Sequence, residues 1–411
     1  MRDLVLVLNA GSSSLKAELY SVRPAFAARA HVAVERIGRE RPTLRVDDGG
    51  SEPVPAATDY GAAAEQLLDR LATLGFDQRR LLATAHRVVH GGERFAAPTV
   101  MDDAVVAELD ALTPLAPLHN PAALAVLRAA RSRFPGVPAV AVFDTALFRD
   151  LPAAARCYAI PADWRRGRAI RRYGFHGIAH EYLHTRYRAL TTQRRRPERV
   201  IGLHLGQGCS ATALLDGRPV ETSMGYTPLE GLIMGSRCGD IDAGVVLELA
   251  RAGVPAAELD DALNRRAGLL GLSEASDDMR ELLDLEAAGE PRAGLAIEAF
   301  CHRLHKYLGA YAAVLGGVDV LLFGGGIGEH APEIRRRVCA GLEWLGLELD
   351  PAANAAAVGR DATISSAASR IEVFAIRVRE ELSIARAACA CLGIATADDE
   401  APSGAASRAA S

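Results

Sequence analysis

The 411-residue sequence contains no apolar run near the ~20 residues that a membrane-spanning helix needs. Its opening reaches a charged Arg2-Asp3 and then a strand-like Leu4 to Leu8, which is not the pattern of a secretory signal, so a cytoplasmic location is expected. Cysteine is sparse: seven residues, at 157, 209, 238, 301, 339, 389 and 391, with one close pair. The Cys-Ala-Cys spacing of that pair suits neither a zinc ribbon nor a CxxC redox site, and reduced thiols are the simplest reading. A net charge of −4 offers nucleic acid or an anionic membrane no global attraction, and neither is expected as a partner. The arginine clusters at 165–172 and 194–196 read as solvated faces. Three motifs are also missing: the GxxxxGK[ST] phosphate loop, the GxGxxG dinucleotide fingerprint and the GxSxG nucleophile elbow.

The length predicts two domains, and a composition of 49% hydrophobic and 24% charged residues is that of a soluble globular protein. Leu4 to Leu8 is continuously apolar, as in a central strand covered on both faces. It runs into Asn9-Ala10-Gly11-Ser12-Ser13-Ser14, followed by an alternating stretch from Leu15 to Tyr20. Two readings of that turn are open. It is a hairpin that happens to contain serines, or its N–H groups and hydroxyls face a phosphate, with Lys16 adding charge.

Further on, Tyr60 to Leu74 is apolar at helical spacing, and Asn120-Pro121 reads as an N-cap with proline in the first turn. Pro138 to Phe143 reads as a buried strand ending at Asp144, so strands alternate with helices and an α/β fold is predicted. Val200 to Leu205, the turn from Gly206 to Ser210 and Ala211 to Leu215 echo the opening: L-N-A-G-S-S and L-G-Q-G-C-S share the frame L-x-x-G-x-S. One hairpin built twice suggests two similar domains. A third strand, Val318 to Phe323, leads into the glycine turn Gly324 to Gly328, and Pro332 is placed to start a helix. Strand, glycines and helix form a geometry that meets anions. Residues 398–411, small and polar, read as a disordered tail.

His176 and His180 are four apart and would share a helix face, but a zincin would need Glu where Gly177 stands. Hydrogen bonding to substrate or neighbours is therefore favoured over metal ligation. Arg87, ahead of Val88-Val89-His90-Gly91-Gly92, and Arg237, within Met234-Gly235-Ser236-Arg237-Cys238-Gly239, have forks that suit carboxylate or phosphoryl oxygens; a structural ion pair is the alternative for each. Asp144, at a strand's C-terminal end, is where an open α/β sheet presents functional groups.

These stretches resemble the acetate kinase family: N-A-G-S-S-S-L-K at 9–16, H-R-V-V-H-G-G-E-R-F at 86–95, L-A-P-L-H-N-P at 115–121, V-F-D-T-A at 142–146 and R-R-Y-G-F-H-G at 171–177. The resemblance continues in order through T-S-M-G-Y-T-P-L-E-G-L-I-M-G-S-R at 222–237, D-D-M-R at 277–280, G-I-G-E at 326–329 and E-E-L-S-I-A-R at 380–386. It implies an α/β protein of the actin-like, sugar-kinase-like (ribonuclease H-like) ATPase fold, with two similar domains, an interdomain cleft and a homodimeric state. The implied domains are 1–150 plus 382–397, and a nucleotide-binding domain at 151–381. The implied reaction is reversible phosphorylation of acetate by ATP to acetyl phosphate, with Mg²⁺, or Mn²⁺ in its place.

By the same resemblance, Asp144, His176 and Arg237 are catalytic, and Asn9 and Glu380 place the metal. Arg87, Val89, Leu118, His119, Phe175 and Pro228 receive the acid. The ATP contacts are Ser12, Ser14, Lys16, His204, Leu205, Gly206, Gln207, Gly208, Asp278, Met279, Arg280, Gly326, Ile327, Gly328, Glu329 and His330.

The chemistry fits that inventory. A carboxylic acid with a pKa near the ~4.3 of a Glu side chain is ionised at pH 7 and needs no base. Its obstacle is a polyanionic partner, so prepositioned cations are the main requirement, and Asp144 reads as an orienter rather than a base. Several positions depart from the family pattern. Gln207 and His330 stand where it has Asn, Leu147-Phe148-Arg149 replaces Phe-His-Gln, Ile178-Ala179 replaces Thr-Ser, and Arg377-Val378-Arg379 replaces Pro-Thr-Asn. The two added arginines would compete with the metal or add phosphate contacts. Propionate or butyrate kinase, and a catalytically impaired nucleotide-binding relative, are the rival readings.

Overall fold

The computed structural model describes residues 2–11, 13–38, 40–47, 49–117, 119–192 and 196–396. Ser12, Leu118, Arg194, Arg195 and the tail 398–411 lie outside the described residues. The chain forms two compact units, one running to Ala146 and resuming at Glu380, the other spanning Leu147–Arg379.

The first unit holds a sheet of β1 (Leu4–Ala10), β2 (Ser14–Ser21), β3 (Ala27–Glu35), β4 (Thr43–Val46), β5 (Ser51–Pro53), β6 (Leu81–Val88), β7 (Thr99–Val100) and β8 (Ala139–Phe143), in the order β5-β4-β3-β2-β1-β6-β8-β7. All seven residues of β1 are buried, which is why its apolar run is continuous rather than alternating. β1 and β2 form an antiparallel hairpin that sets Asn9 opposite Lys16. β1, β6 and β8 run parallel, with Leu8 opposite His86 and Val88 opposite Phe143. That register brings Asn9, Arg87 and Asp144 to the same end of the sheet.

The helix Tyr60–Thr73 is capped by Asp59 and buries Ala63, Ala64, Leu67, Leu68 and Leu71. The helix Asn120–Arg133 departs from expectation at its start. Its N-cap is His119, and Asn120 lies inside the helix. The Asn120 amide is spent on the main chain of His90, accepting from its N–H at 3.1 Å and donating to its C=O at 3.0 Å, because a buried loop must find such partners. The C-terminal helix Glu380–Cys391 packs against β1, β6 and β8 and carries two glutamates in its first turn.

The second unit holds β9 (Arg199–Leu205), β10 (Cys209–Leu215), β11 (Arg218–Thr222), β12 (Val320–Gly324), β13 (Ala362–Thr363) and β14 (Glu372–Ala375), in the order β11-β10-β9-β12-β14-β13. Its core repeats β3-β2-β1-β6-β8: two antiparallel neighbours on one side, two parallel on the other. The L-x-x-G-x-S frame marks the first hairpin turn of each sheet.

The glycine run after β12 is not a loop. It is helical from Gly325 to His330, and Pro332 opens a second helix, Pro332–Cys339. Only glycine suits position 325, whose φ is +76° and whose Cβ would fall 2.7 Å from the Leu205 carbonyl oxygen. Arg172 also departs from its expected solvated face. It is half-buried, donates to the Thr222 and Ser223 carbonyls and pairs with Glu230 at 2.7 Å. The seven cysteines are free thiols. Among the described residues no helix is long and apolar enough to cross a membrane.

β6 also carries a pH liability. His86 is 1% exposed, and burial pushes its pKa down to about 3. It is neutral in the fold and protonates near pH 6.5 only when unfolded, so stability present above pH 6.5 falls on acidification toward pH 3 by about 1.4 kcal/mol per pH unit. Denaturant titrations between pH 6.5 and 5 should therefore show a shallower loss of stability for His86→Gln than for the parent.

Candidate functional site

In the first unit, Arg87 is the hub. Its Nε donates to both carboxylate oxygens of Asp144 at 3.1 Å, its Nη2 to Oδ2 at 2.5 Å and its Nη1 to Asn9 Oδ1 at 3.2 Å. Asn9 Nδ2 donates to Glu381 Oε1 at 3.0 Å and to Glu380 Oε2 at 3.4 Å. Glu380 Oε2 also stands 3.9 Å from Arg87 Nε. The ion pair left open as an alternative for Arg87 is thus present, with an Asp144 side chain only 1% exposed. Burial opposes the guanidinium charge, but Asp144 and Glu380 outweigh it and hold the Arg87 pKa above its ordinary value.

Asp144, Glu380 and Glu381 gather around this guanidinium and the Asn9 amide, which makes an oxygen-rich corner. Among the described residues no group of three His, Cys, Asp or Glu side chains closes around a metal-sized space. An open corner offering one or two carboxylates still suits Mg²⁺, which keeps waters and substrate phosphates in its shell. Glu381 was not among the sequence candidates, although it adjoins Glu380. Lys16 is exposed on β2, Ser14 begins that strand, Val89 is buried just past β6, and His119 flanks its helix.

In the second unit, His176 sits at the N-terminal end of the helix Gly177–Leu190 in the left-handed region, φ 58° and ψ 27°. A non-glycine residue there is strained, and such strain concentrates at working sites. Its Nδ1 is 2.9 Å from Ser210 Oγ, and its ring centroid is 4.8 Å from that of His204. A Cβ on Gly208 would lie 3.2 Å from His176 Cε1, tighter than an ordinary contact, and 3.6 Å from Arg237 Nη1, so glycine leaves room for the imidazole and the guanidinium to flank the turn. Arg237 Nη1 also donates to the Pro228 carbonyl at 3.3 Å, and Phe175 is buried. His180, expected to pair with His176 on a helix face, meets it through Ser210 instead: its Nε2 is 2.8 Å from the same hydroxyl.

In the same unit, a cavity of about 360 Å³ is lined by Gly206, Gln207, Asp277, Asp278, Met279, Arg280, Gly326, Ile327, His330 and Ala331. Its size lies within the range of small-molecule sites. Eight of these residues were nucleotide candidates from sequence; Asp277 and Ala331 were not. Gln207 donates to Asp277 at 2.6 Å, Asp278 caps the helix Met279–Ala287, and His330 bonds the Gly326 carbonyl at 3.1 Å.

Leu205, Gly328 and Glu329 are buried. The Glu329 carboxylate accepts from the N–H of Gly325 and of Val378, each at 3.0 Å, and burial raises its pKa. The departing segment 377–379 is thus tied in through its backbone. Arg335, fully buried, donates to the Gly328 carbonyl at 2.7 Å and to Asn354 and Ala357; nothing in its Arg335-Arg336-Arg337 run sets it apart.

A family model described as the acetokinase family matches residues 4–386. An acetate kinase of Solibacter usitatus is 45% identical over 405 residues, covering 94% of this chain and 98% of that protein. One of Streptomyces griseus is 45% identical over 401 residues, covering 95% and 96%. Among solved structures, Porphyromonas gingivalis acetate kinase aligns at a TM-score of 0.86 and 37% identity, covering 95% of this chain and 100% of that one. A propionate kinase from Francisella tularensis aligns at 0.86 and 36%, covering 94% and 99%.

Removing Arg87 would leave Asp144 buried without its main cation. Arg87→Ala is expected to lower stability by about 3–5 kcal/mol in denaturant titration, and Arg87→Lys to recover only part, because an ammonium keeps the charge but not the fork.

Proposed function

The chain belongs to the acetokinase family, and we propose that it transfers the γ-phosphoryl group of ATP to acetate, reversibly, giving acetyl phosphate and ADP. The observation that carries this reading is the meeting of His176, Arg237 and Gly208, on the same glycine turn whose Gly206 and Gln207 line the cavity. Nucleotide phosphates entering by that turn find a guanidinium and an imidazole already in place.

Acetate arrives as an anion and is its own nucleophile, so no side chain has to remove a proton. The guanidinium of Arg87 draws the carboxylate, and Val89, buried just past the end of the same strand, offers an apolar surface for its methyl group. Arg237 and His176 stabilise charge spread over the phosphoryl oxygens in flight, where prepositioned donors contribute most. Asp144, almost wholly buried and bound through both oxygens to Arg87, keeps that fork aimed. Asn9 and Glu380 are the residues that would hold Mg²⁺, whose charge when bound offsets that of the β- and γ-phosphates.

Incubation with ATP, Mg²⁺ and C2 to C4 acids, trapping acyl phosphate with hydroxylamine, tests the reading. Acetate is expected to give the most product, with propionate weaker because one methylene is worth only about 1–3 kcal/mol. Product from none of the acids, with nucleotide still bound, would refute it. Asp144→Asn should lower kcat strongly without the pH profile of a lost base, and full activity in that variant would remove Asp144 from the site.

A homodimer and a cytoplasmic location belong to the same proposal. The helix Ala243–Arg251 buries none of its residues, although Val245, Leu247 and Leu249 are 46%, 54% and 42% exposed. Val245 and Leu249, one turn apart, share an exposed apolar face that is best covered by a second copy. Leu249→Asp should shift the sedimentation coefficient to that of a monomer while the far-UV spectrum is unchanged.

A further inference from the structure

Two histidines compete for one proton. Ser210 Oγ is 2.9 Å from Nδ1 of His176 and 2.8 Å from Nε2 of His180. A hydroxyl has a single hydrogen, so it donates to one ring and the other ring must donate to it. The three groups therefore form a directional chain. Its polarity decides which nitrogen of His176 carries a proton on the side facing Gly208 and Arg237.

The buried end sets that polarity. Ser210 lies on β10 opposite His204 and is 0% exposed; His180 is 1% exposed. Nδ1 of His180 has no hydrogen-bond partner among the described residues, and it is packed 3.0 Å from where a Cβ on Gly202 would stand. Burial, and next the neighbouring His204, hold the His180 pKa well below its ordinary value, so the ring is neutral with one proton. On Nδ1 that proton would be a buried N–H with no acceptor; on Nε2 it is used by Ser210.

We infer that His180 and Ser210 set the tautomer of His176: His180 Nε2–H donates to Ser210 Oγ, Ser210 O–H donates to His176 Nδ1, and His176 keeps its own proton on Nε2. The Nε2 atom is 3.3 Å from where a Cβ on Gly208 would lie, on the side of that glycine near Arg237 Nη1. His176 thus presents a donor to phosphoryl oxygens. The reverse polarity would aim a lone pair at an anion. His180 and Ser210 are positioning residues that need not touch substrate, and the inference rests on the reading of His176 as a phosphoryl contact.

The test starts from the unmodified protein. Long-range ¹H–¹⁵N spectra of histidine-labelled protein at pH 7.5 distinguish the two neutral tautomers, with His176 and His180 assigned by single substitution. Both are expected as Nε2–H; a neutral His176 protonated on Nδ1 overturns the relay. Ser210→Ala should lower kcat about 10- to 100-fold, the usual effect of losing a group that orients a functional histidine, with KM for ATP and acetate within about twofold. His180→Leu should lose as much, and His180→Gln, which keeps an N–H at the Nε2 position, should recover most of the loss. His180→Gln as impaired as His180→Leu overturns the relay. If His180→Leu fails to fold, the spectrum and Ser210→Ala still decide. Full activity in His176→Ala would instead remove the catalytic reading beneath it, leaving the tautomer assignment to the spectrum.

Discussion

Where β1, β6 and β8 end, one guanidinium is held among three carboxylates and an amide, most of it away from water. Taking such groups out of solvent is costly unless each finds a partner of good geometry, and Arg87 meets that demand for Asp144 through both oxygens while its third nitrogen reaches Asn9. Much of the first unit serves this corner. The parallel register aligns the strand ends, the buried apolar runs of β1 and β8 keep them rigid, and the C-terminal helix packs on the sheet so that its first turn delivers Glu380 and Glu381.

The second unit uses the same strand order at its own site. Its first hairpin turn carries Gly206 and Gly208 where the first unit has Asn9 and Gly11, and glycine at 208 leaves room for His176 and Arg237 to approach from two separate segments. Behind the turn, the short helix after β12 is held by two groups that touch no cavity surface: Glu329 takes the Gly325 and Val378 N–H groups, and Arg335 takes the Gly328 carbonyl. A buried acid and a buried base keep a glycine-rich segment from collapsing into the space it borders. Gln207 and His330, which depart from the family pattern, both line the cavity, and each also makes a hydrogen bond that shapes it.

The errors of sequence reading share one cause. Asn120 has the residue type and spacing of an N-cap, yet the His90 main chain competes for its amide and wins because that loop is buried. The glycines after β12 looked like a turn because each lowers helix propensity, yet packing against Leu205 and the Glu329 bond make them helical. His176 and His180 are expected to share a helix face, but His176 lies just outside the helix as its left-handed N-cap, and the residue that joins the two rings, Ser210, is remote in sequence.

Strand periodicity, the twice-used hairpin frame and the ordered motifs were enough to specify an α/β chain of the acetokinase family and to name most residues of its charged clusters. Those signals are local: they depend on which side chains follow one another, and that is legible in any linear string. Partnership was decided only in three dimensions. That Asp144 belongs to Arg87, that Glu381 joins Glu380, that Arg335 rather than its two arginine neighbours is buried, and that one serine hydroxyl lies between two imidazoles all follow from strand register and helix packing. Hydrogen bonds and ion pairs act over about 3 Å, and residues far apart in the chain reach that distance only after folding has been completed.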